Sequence, residues 1–208
     1  MLAKVQTAAV VGLTAVPVTA EVDVSDGLPG LTIVGLPDAT VRESRERVRS
    51  AIKNSQFAWP QTRVTVNLAP ADVRKEGSAF DFPVALGLLA ASGQMEPELL
   101  ADVVALGELA LDGTLRPVPG VLAIALGLKD KGKRLLLPSA NAREAAVVGG
   151  IRVYGLEHLH QAVSFLRGAE AVEPTRVELS GLWQPPGDVD GDLSEVKGQA
   201  VAKRALEV

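Results

Sequence analysis

The chain has 208 residues, 47% apolar and only 3% aromatic, which is enough for one well-buried domain, or a domain with an appendage, whose core is built from Val, Leu, Ile and Ala. A net charge of -4, from 21 basic and 25 acidic residues, argues against wholesale coating of nucleic acid and leaves room only for a local basic face. The absence of Cys excludes disulfides, thiolate zinc sites and thiol catalysis and suits a reducing cytoplasm, while two His residues leave little room for a His-based metal site.

The run after Lys4 loosely resembles a secretory signal, but Gln6, Thr7, Thr14 and Pro17 interrupt it, and alternation explains it better. Strands are expected over 3–11 and 16–24. In the second, Val16, Val18, Ala20, Val22 and Val24 share a buried face, and Pro17, Thr19, Glu21 and Asp23 share a wet one. Pro17 suggests an edge or a strand start. A Gly-Pro turn leads to a short strand over 31–34, giving an antiparallel meander. No stretch approaches the ~20 apolar residues of a membrane span, and the reading is a cytoplasmic protein without membrane contact.

Thr40-Val41-Arg42-Glu43 has the form of a capping box and opens a helix to about Ser55. Val41, Val48, Ala51 and Ile52 form its apolar stripe. Arg42, Arg45, Arg49 and Lys53 recur at three- and four-residue steps beside it, the one concentrated basic surface of the sequence. This row is either a solvated face held by Arg42–Glu46 and Glu43–Arg47 pairs or a phosphate- or subunit-facing surface. A strand over 63–68 and a polar turn follow.

From Phe82 to Ala91 nothing is polar, so the helix there lacks a solvent face and belongs in the core. Asp81 is its expected N-cap, and Gly93 closes it. The preceding Gly77-Ser78 turn sits where a helix dipole can hold an anion. Beyond, stretches 105–111 and 114–118 flank Asp112-Gly113, a strong hairpin signal. Pro119-Gly120 opens a helix to about Lys131, a strand covers 134–137, and Ser139 caps a helix to about Val147. A strand over 151–154 and a helix over 156–166 complete an α+β fold of mixed sheet and packed helices. Residues 168–191, rich in Pro, Gly and Asp, read as a linker between a domain over 1–167 and the truncated start of another over 192–208.

Three constellations fail. Residues 127–134 nearly spell a phosphate-binding loop, but Arg134 replaces its final Ser or Thr, and the stretch joins a helix to a strand rather than the reverse. Asp188, Asp190 and Asp192 imitate a calcium loop whose required Gly and Glu are Leu193 and Gln199. His158 and His160, two apart on a helix, are expected to face apart and share no metal.

Several stretches together resemble the ComM/YifB-type proteins, bacterial Mg-chelatase-like AAA+ ATPases. They include Gly27-Leu28-Pro29-Gly30-Leu31-Thr32-Ile33-Val34-Gly35-Leu36-Pro37, Asn67-Leu68-Ala69-Pro70-Ala71-Asp72, Lys75-Glu76-Gly77, Gly107-Glu108-Leu109 and Asp192-Leu193-Ser194-Glu195-Val196-Lys197-Gly198-Gln199. The resemblance implies an N-terminal domain like the proteolytic domain of Lon, of ribosomal protein S5 domain 2-like fold, followed by an ATPase module that uses ATP and Mg2+. It implies a hexamer driving branch migration of DNA in natural transformation, with DNA and further copies of itself as partners. Alternatives are a ring-assembly module without DNA contact, or a Ser-type peptidase. The Lon motif, laid on residues 74–81, puts the nucleophile position at Ala79, and its partner lysine falls on Leu122, so a serine would have no base. No catalytic, cofactor or metal residue is therefore assigned. Arg42, Arg45, Arg49 and Lys53, with Lys75 as an addition, are the candidates for a DNA- or subunit-facing surface.

Overall fold

The computed structural model describes residues 1–178 and 193–207. They form two compact units, Met1–Val177 and Glu178–Val208. The second carries a 3-10 turn, Leu193–Glu195, and one helix, Ala200–Glu207. The acidic triplet at 188–192 and most of the expected linker lie outside the described residues.

The first unit is built on a seven-stranded mixed sheet. Its strands are β1 (Leu2–Val11), β2 (Thr14–Ser25), β3 (Gly30–Val34), β4 (Arg63–Ala69), β5 (Val103–Ala105), β8 (Arg134–Pro138) and β9 (Arg152–Leu156). The spatial order is β3-β4-β2-β1-β5-β8-β9. A separate hairpin pairs β6 (Glu108–Leu109) with β7 (Leu115–Arg116). The helices are α1 (Ala39–Asn54), α2 (Asp81–Ala91), α3 (Val121–Leu128), α4 (Ser139–Ala146) and α5 (Leu159–Leu166).

Alternation along β1 and β2 works as the pattern requires: Ala3, Val5, Val18, Ala20 and Val22 turn to one core. The third strand does not continue a meander. β4 inserts beside β2 in antiparallel register, and β3 pairs with β4 in parallel, because the long α1 crossover lets β3 and β4 run the same way. β2 is an interior strand, yet its pairing with β4 starts only at Thr19, so Pro17 sits in a stretch paired with β1 alone. That placement satisfies the constraint that suggested an edge.

α2 lies under this sheet with every residue from Asp81 to Ala91 buried. Its contact with the strands is close: a Cβ on Gly87 would stand 2.7 Å from Val22 Cγ2. α1 and α5 join the same core, while α3 and α4 cover the opposite face of β5, β8 and β9 in a second apolar cluster. Residues past 167 still belong to this unit, since the Thr175 amide donates to the Val153 carbonyl at 2.8 Å and Val172 packs on the core.

The caps differ from local expectation. α1 starts two residues earlier than the Thr40 box implies, capped by Asp38, whose Oδ1 accepts from the Val41 amide at 2.7 Å. Its Oδ2 accepts from Gly77 at 3.2 Å and ties the cap to the loop before α2. Asp81 is not a cap; the N-cap of α2 is Phe80 with no side-chain bond, and Asp81 turns inward to Arg47. α4 is preceded by Pro138, not capped by Ser139. The first arm of the expected hairpin divides at Gly107 (φ +156°): residues 103–105 join the large sheet and 108–109 the small one.

Candidate functional site

α1 presents its apolar stripe inward, with Val41, Ser44, Val48, Ala51 and Ile52 buried. Arg42, Arg45, Arg49 and Lys53 are all exposed on the outside, as the spacing predicts. The two intrahelical pairs expected to neutralise them are absent from the described ion pairs. Arg42 Nη1 instead donates to the Pro37 carbonyl at 2.9 Å, and Arg45 pairs with Glu46 at 3.4 Å. Arg49 places its guanidinium carbon 5.9 Å from the ring centre of half-buried Trp59, a cation–π contact that leaves its N–H groups available. Lys53 sits in the last turn, where a cation complements the helix dipole. The outcome is a cationic row with an aromatic beside it.

Lys75 is not part of that surface. Its side chain is fully buried, its amine donates to the Pro70 carbonyl, and its backbone bridges Leu36 and Asp38. Burial pulls its pKa below the ordinary lysine value, against the opposing pull of Asp72. The sequence pattern shows a lysine in a polar turn; only the fold shows that the turn closes over it.

Behind α1 lies a polar cluster that periodicity alone does not reveal. Arg47 Nε and Nη2 donate to Asp81 Oδ2 and Oδ1 at 2.7 and 3.1 Å, and the Leu109 amide adds a donor to Asp81 at 3.3 Å. Burial lifts the Asp81 carboxyl from 3.8 to about 6, although the Arg47 hydrogen bonds and charge pull the other way. The same pair raises Arg47, which keeps more contact with water and so loses less hydration. Glu108, beside them, accepts from Ser78 Oγ and stands 3.7 Å from Arg116. The cluster joins α1, the start of α2 and the β6–β7 hairpin. Its one local signal is that Arg47 falls between Ser44 and Val48, on the border of the apolar stripe.

A groove of about 640 Å3 runs between the β1–β2 tip and the loop 72–80, with Ser78, Ala79, Pro119 and Ile124 in its walls. Ala79 is the position on which the Lon motif lays its nucleophile. Ser78 faces a carboxylate, not an amine, and Leu122 is exposed on α3.

The near-match to a phosphate-binding loop is not realised among the described residues. The glycine stretch 127–134 runs from the end of α3 into β8, and Arg134 is held bidentate by Asp102 at 2.6 and 2.9 Å. No group of three or more His, Cys, Asp and Glu converges among the described residues, and no described helix is long and apolar enough to cross a membrane.

Comparison with known proteins places the chain. Residues 20–141 match the family model described as subunit ChlI of Mg-chelatase. The chain is 43% identical over 210 residues to uncharacterized protein YifB of Escherichia coli, with all of this chain and 40% of that protein covered. It is equally 43% identical over 208 residues to competence protein ComM of Haemophilus influenzae, covering all of this chain and 41% of that one. Uncharacterized protein Rv2897c of Mycobacterium tuberculosis is 41% identical over 201 residues, 96% of this chain and 39% of its own length. The chain thus spans about 40% of the curated relatives it matches. A match over more than half of the chain, carried end to end by these relatives, makes it a member of the Mg-chelatase ChlI-like family, of the ComM/YifB type.

Proposed function

We propose that this domain is the non-catalytic, Lon-like N-terminal part of a hexameric AAA+ motor that moves branched DNA during recombination in natural transformation. In this reading the fold is of the ribosomal protein S5 domain 2-like type. ATP and Mg2+ act in the remainder of the full-length protein, and residues 1–177 act through their surface in the cytoplasm. The observation that carries the reading is the end-to-end 43% identity with a protein named for competence. Two features of the surface support it. The α1 row Arg42, Arg45, Arg49 and Lys53 is exposed, with Arg45 alone of the four in a described ion pair, to Glu46, and the Lon motif laid on this sequence meets Ala79 and Leu122 where it needs Ser and Lys.

DNA phosphates are the partner such a row suits, because guanidinium groups reach two phosphate oxygens at once and displace condensed counterions. Fluorescence-anisotropy titration with single-stranded and branched DNA tests it. Charge reversal at Arg45 and Arg49 is expected to weaken binding at least tenfold, and unchanged affinity sinks the DNA role of this face.

A second reading, ring assembly without DNA contact, has its own support. Leu13 at the β1–β2 tip is 93% exposed, and Leu122 and Leu126 are exposed on α3. The tip packs on that helix, since a Cβ on Gly120 would stand 2.9 Å from Val10 and one on Gly127 3.0 Å from Ala15. Exposed leucines on neighbouring elements are what a subunit contact uses. Light scattering separates the readings: a stable oligomer that binds no DNA favours assembly alone.

A further inference from the structure

The two histidines do not face apart. His158 is not a helical residue but the N-cap of α5, with an extended backbone (φ -148°, ψ 151°), so the ring folds back over the first turn instead of projecting by helical periodicity. Its ring centre lies 4.2 Å from that of His160, and the two Nδ1 atoms are 2.5 Å apart.

The protonation pattern follows from the partners. His158 Nε2 lies 2.8 Å from the Asp112 carbonyl, which can only accept, so Nε2 carries the proton and donates. His158 Nδ1 is then a lone pair, and it accepts from the His160 backbone amide at 3.3 Å. The short Nδ1–Nδ1 contact is held by the proton of His160 Nδ1. An imidazole whose far N–H is fixed on a backbone carbonyl keeps its near nitrogen as a lone pair, the arrangement that orients histidine ligands toward a metal; here that lone pair faces the first turn of α5 and the His160 ring, so an ion there replaces the long 3.3 Å amide contact.

The hairpin tip holds this pair in place. The Leu159 amide donates to Gly113 at 2.9 Å, and the Leu115 amide donates to Glu157 at 2.8 Å. Gly113 (φ +92°) lies flat beneath the ring: a Cβ there would stand 2.6 Å from His158 Cε1 and 2.2 Å from Ser55 Oγ. Ser55 Oγ is buried without a hydrogen-bond partner and lines, with Asn54, Gln56, His158 and His160, a cavity of about 310 Å3. The site therefore has two converging imidazoles, a fixed tautomer, a pre-positioned support and polar oxygens alongside.

We propose that His158 Nδ1 and His160 Nδ1 form a two-nitrogen site for a late first-row divalent cation, of the Ni2+, Cu2+ or Zn2+ class. Neutral imidazole suits these ions, whereas Mg2+ and Ca2+ prefer oxygen. On binding, the proton on His160 Nδ1 moves through solvent to its own Nε2, which frees the Nδ1 lone pair for the ion. Nitrogen–metal bonds of ~2.0–2.1 Å require the two nitrogens to part to about 3 Å, a small rotation of the exposed His160 ring. No third His, Cys, Asp or Glu completes the set among the described residues, so water or the neighbouring oxygens fill the remaining positions. The ion braces the hairpin tip against the start of α5. This site is independent of the DNA-facing role of α1.

The chain has only these two histidines, so the test is made on the untagged 208-residue chain. Isothermal titration with NiCl2 and with ZnCl2 is paired with NMR observation of the two His Cε1–H signals. One saturable equivalent, at least tenfold weaker in both H160Q and H158Q, and shifts or broadening of both signals together are expected. His160 makes no cap with its ring, so H160Q keeps the fold even if H158Q does not. Affinity unchanged in H160Q, or no saturable binding below millimolar metal, overturns the proposal.

Discussion

Replacement of Arg47 by Met tests the buried cluster behind α1, because it removes the charge partner of Asp81 and keeps most of the apolar stem. Asp81 is fully buried and has one remaining donor, the Leu109 amide at 3.3 Å. An orphaned buried carboxylate costs about 3–5 kcal/mol. Protonation caps that cost, since the carboxyl already stands at about 6 with Arg47 present and rises further without it. The expected loss at pH 7 is therefore about 2–4 kcal/mol. The sign of the pH dependence follows. A folded carboxyl raised from 3.8 to about 6 binds a proton, between those values, that the unfolded chain does not bind. This group's contribution thus favours folding as pH falls through 6 and reaches its full size, about 3 kcal/mol, near pH 4. At pH 5 Asp81 is already mostly neutral in the native protein, and R47M is expected to cost about 1 kcal/mol less than at pH 7. Urea unfolding followed by circular dichroism at pH 7 and pH 5 reads both values. Equal losses at the two pH values, or a loss under about 1 kcal/mol at pH 7, refute the reasoning.

Three further outcomes follow from packing and charge. Gly87→Ala gains helix propensity of about 1 kcal/mol, yet its methyl meets the stiff Val22 side chain at 2.7 Å, so a net destabilisation of ~1–2 kcal/mol is expected by thermal unfolding. Lys75→Met removes a buried cation whose pKa is depressed, so it leaves stability unchanged or raised near pH 7, and it leaves DNA affinity untouched because the side chain is inaccessible. Arg134→Met breaks the bidentate pair that holds Asp102 below the ordinary carboxylate value, primarily through the Arg134 hydrogen bonds. The pair is partly exposed, so the loss is about 1 kcal/mol at pH 7, and it vanishes as pH falls through the Asp102 value.

Local periodicity carries much of this fold because it survives any tertiary context. The all-apolar run 82–91 can only be a core helix, and the alternation of β2 can only be a strand with one wet face. What it does not carry is partner choice. β3 follows a turn that suggests a meander, but its neighbour is set by where the α1 crossover delivers β4. Asp81 has the sequence position of an N-cap, yet Arg47 lies 34 residues away in sequence and 2.7 Å away in space, and the ion pair wins the side chain. His158 and His160 show the same limit: two-residue spacing separates faces only when both residues are helical, and His158 is the cap. For the candidate surface, the Arg42, Arg45, Arg49 and Lys53 row is legible because it follows one helix. The burial of Lys75 and the place of Trp59 beside Arg49 come from loops whose course no spacing encodes.

The salt dependence of DNA binding by the wild-type chain and by R45Q/R49Q tests the central claim most directly. If the exposed row on α1 contacts phosphates, removing two charges weakens binding and flattens the slope of log affinity against log salt by about 1.4–1.8. Identical slopes and affinities for the two proteins would contradict the account and leave α1 as a solvated face.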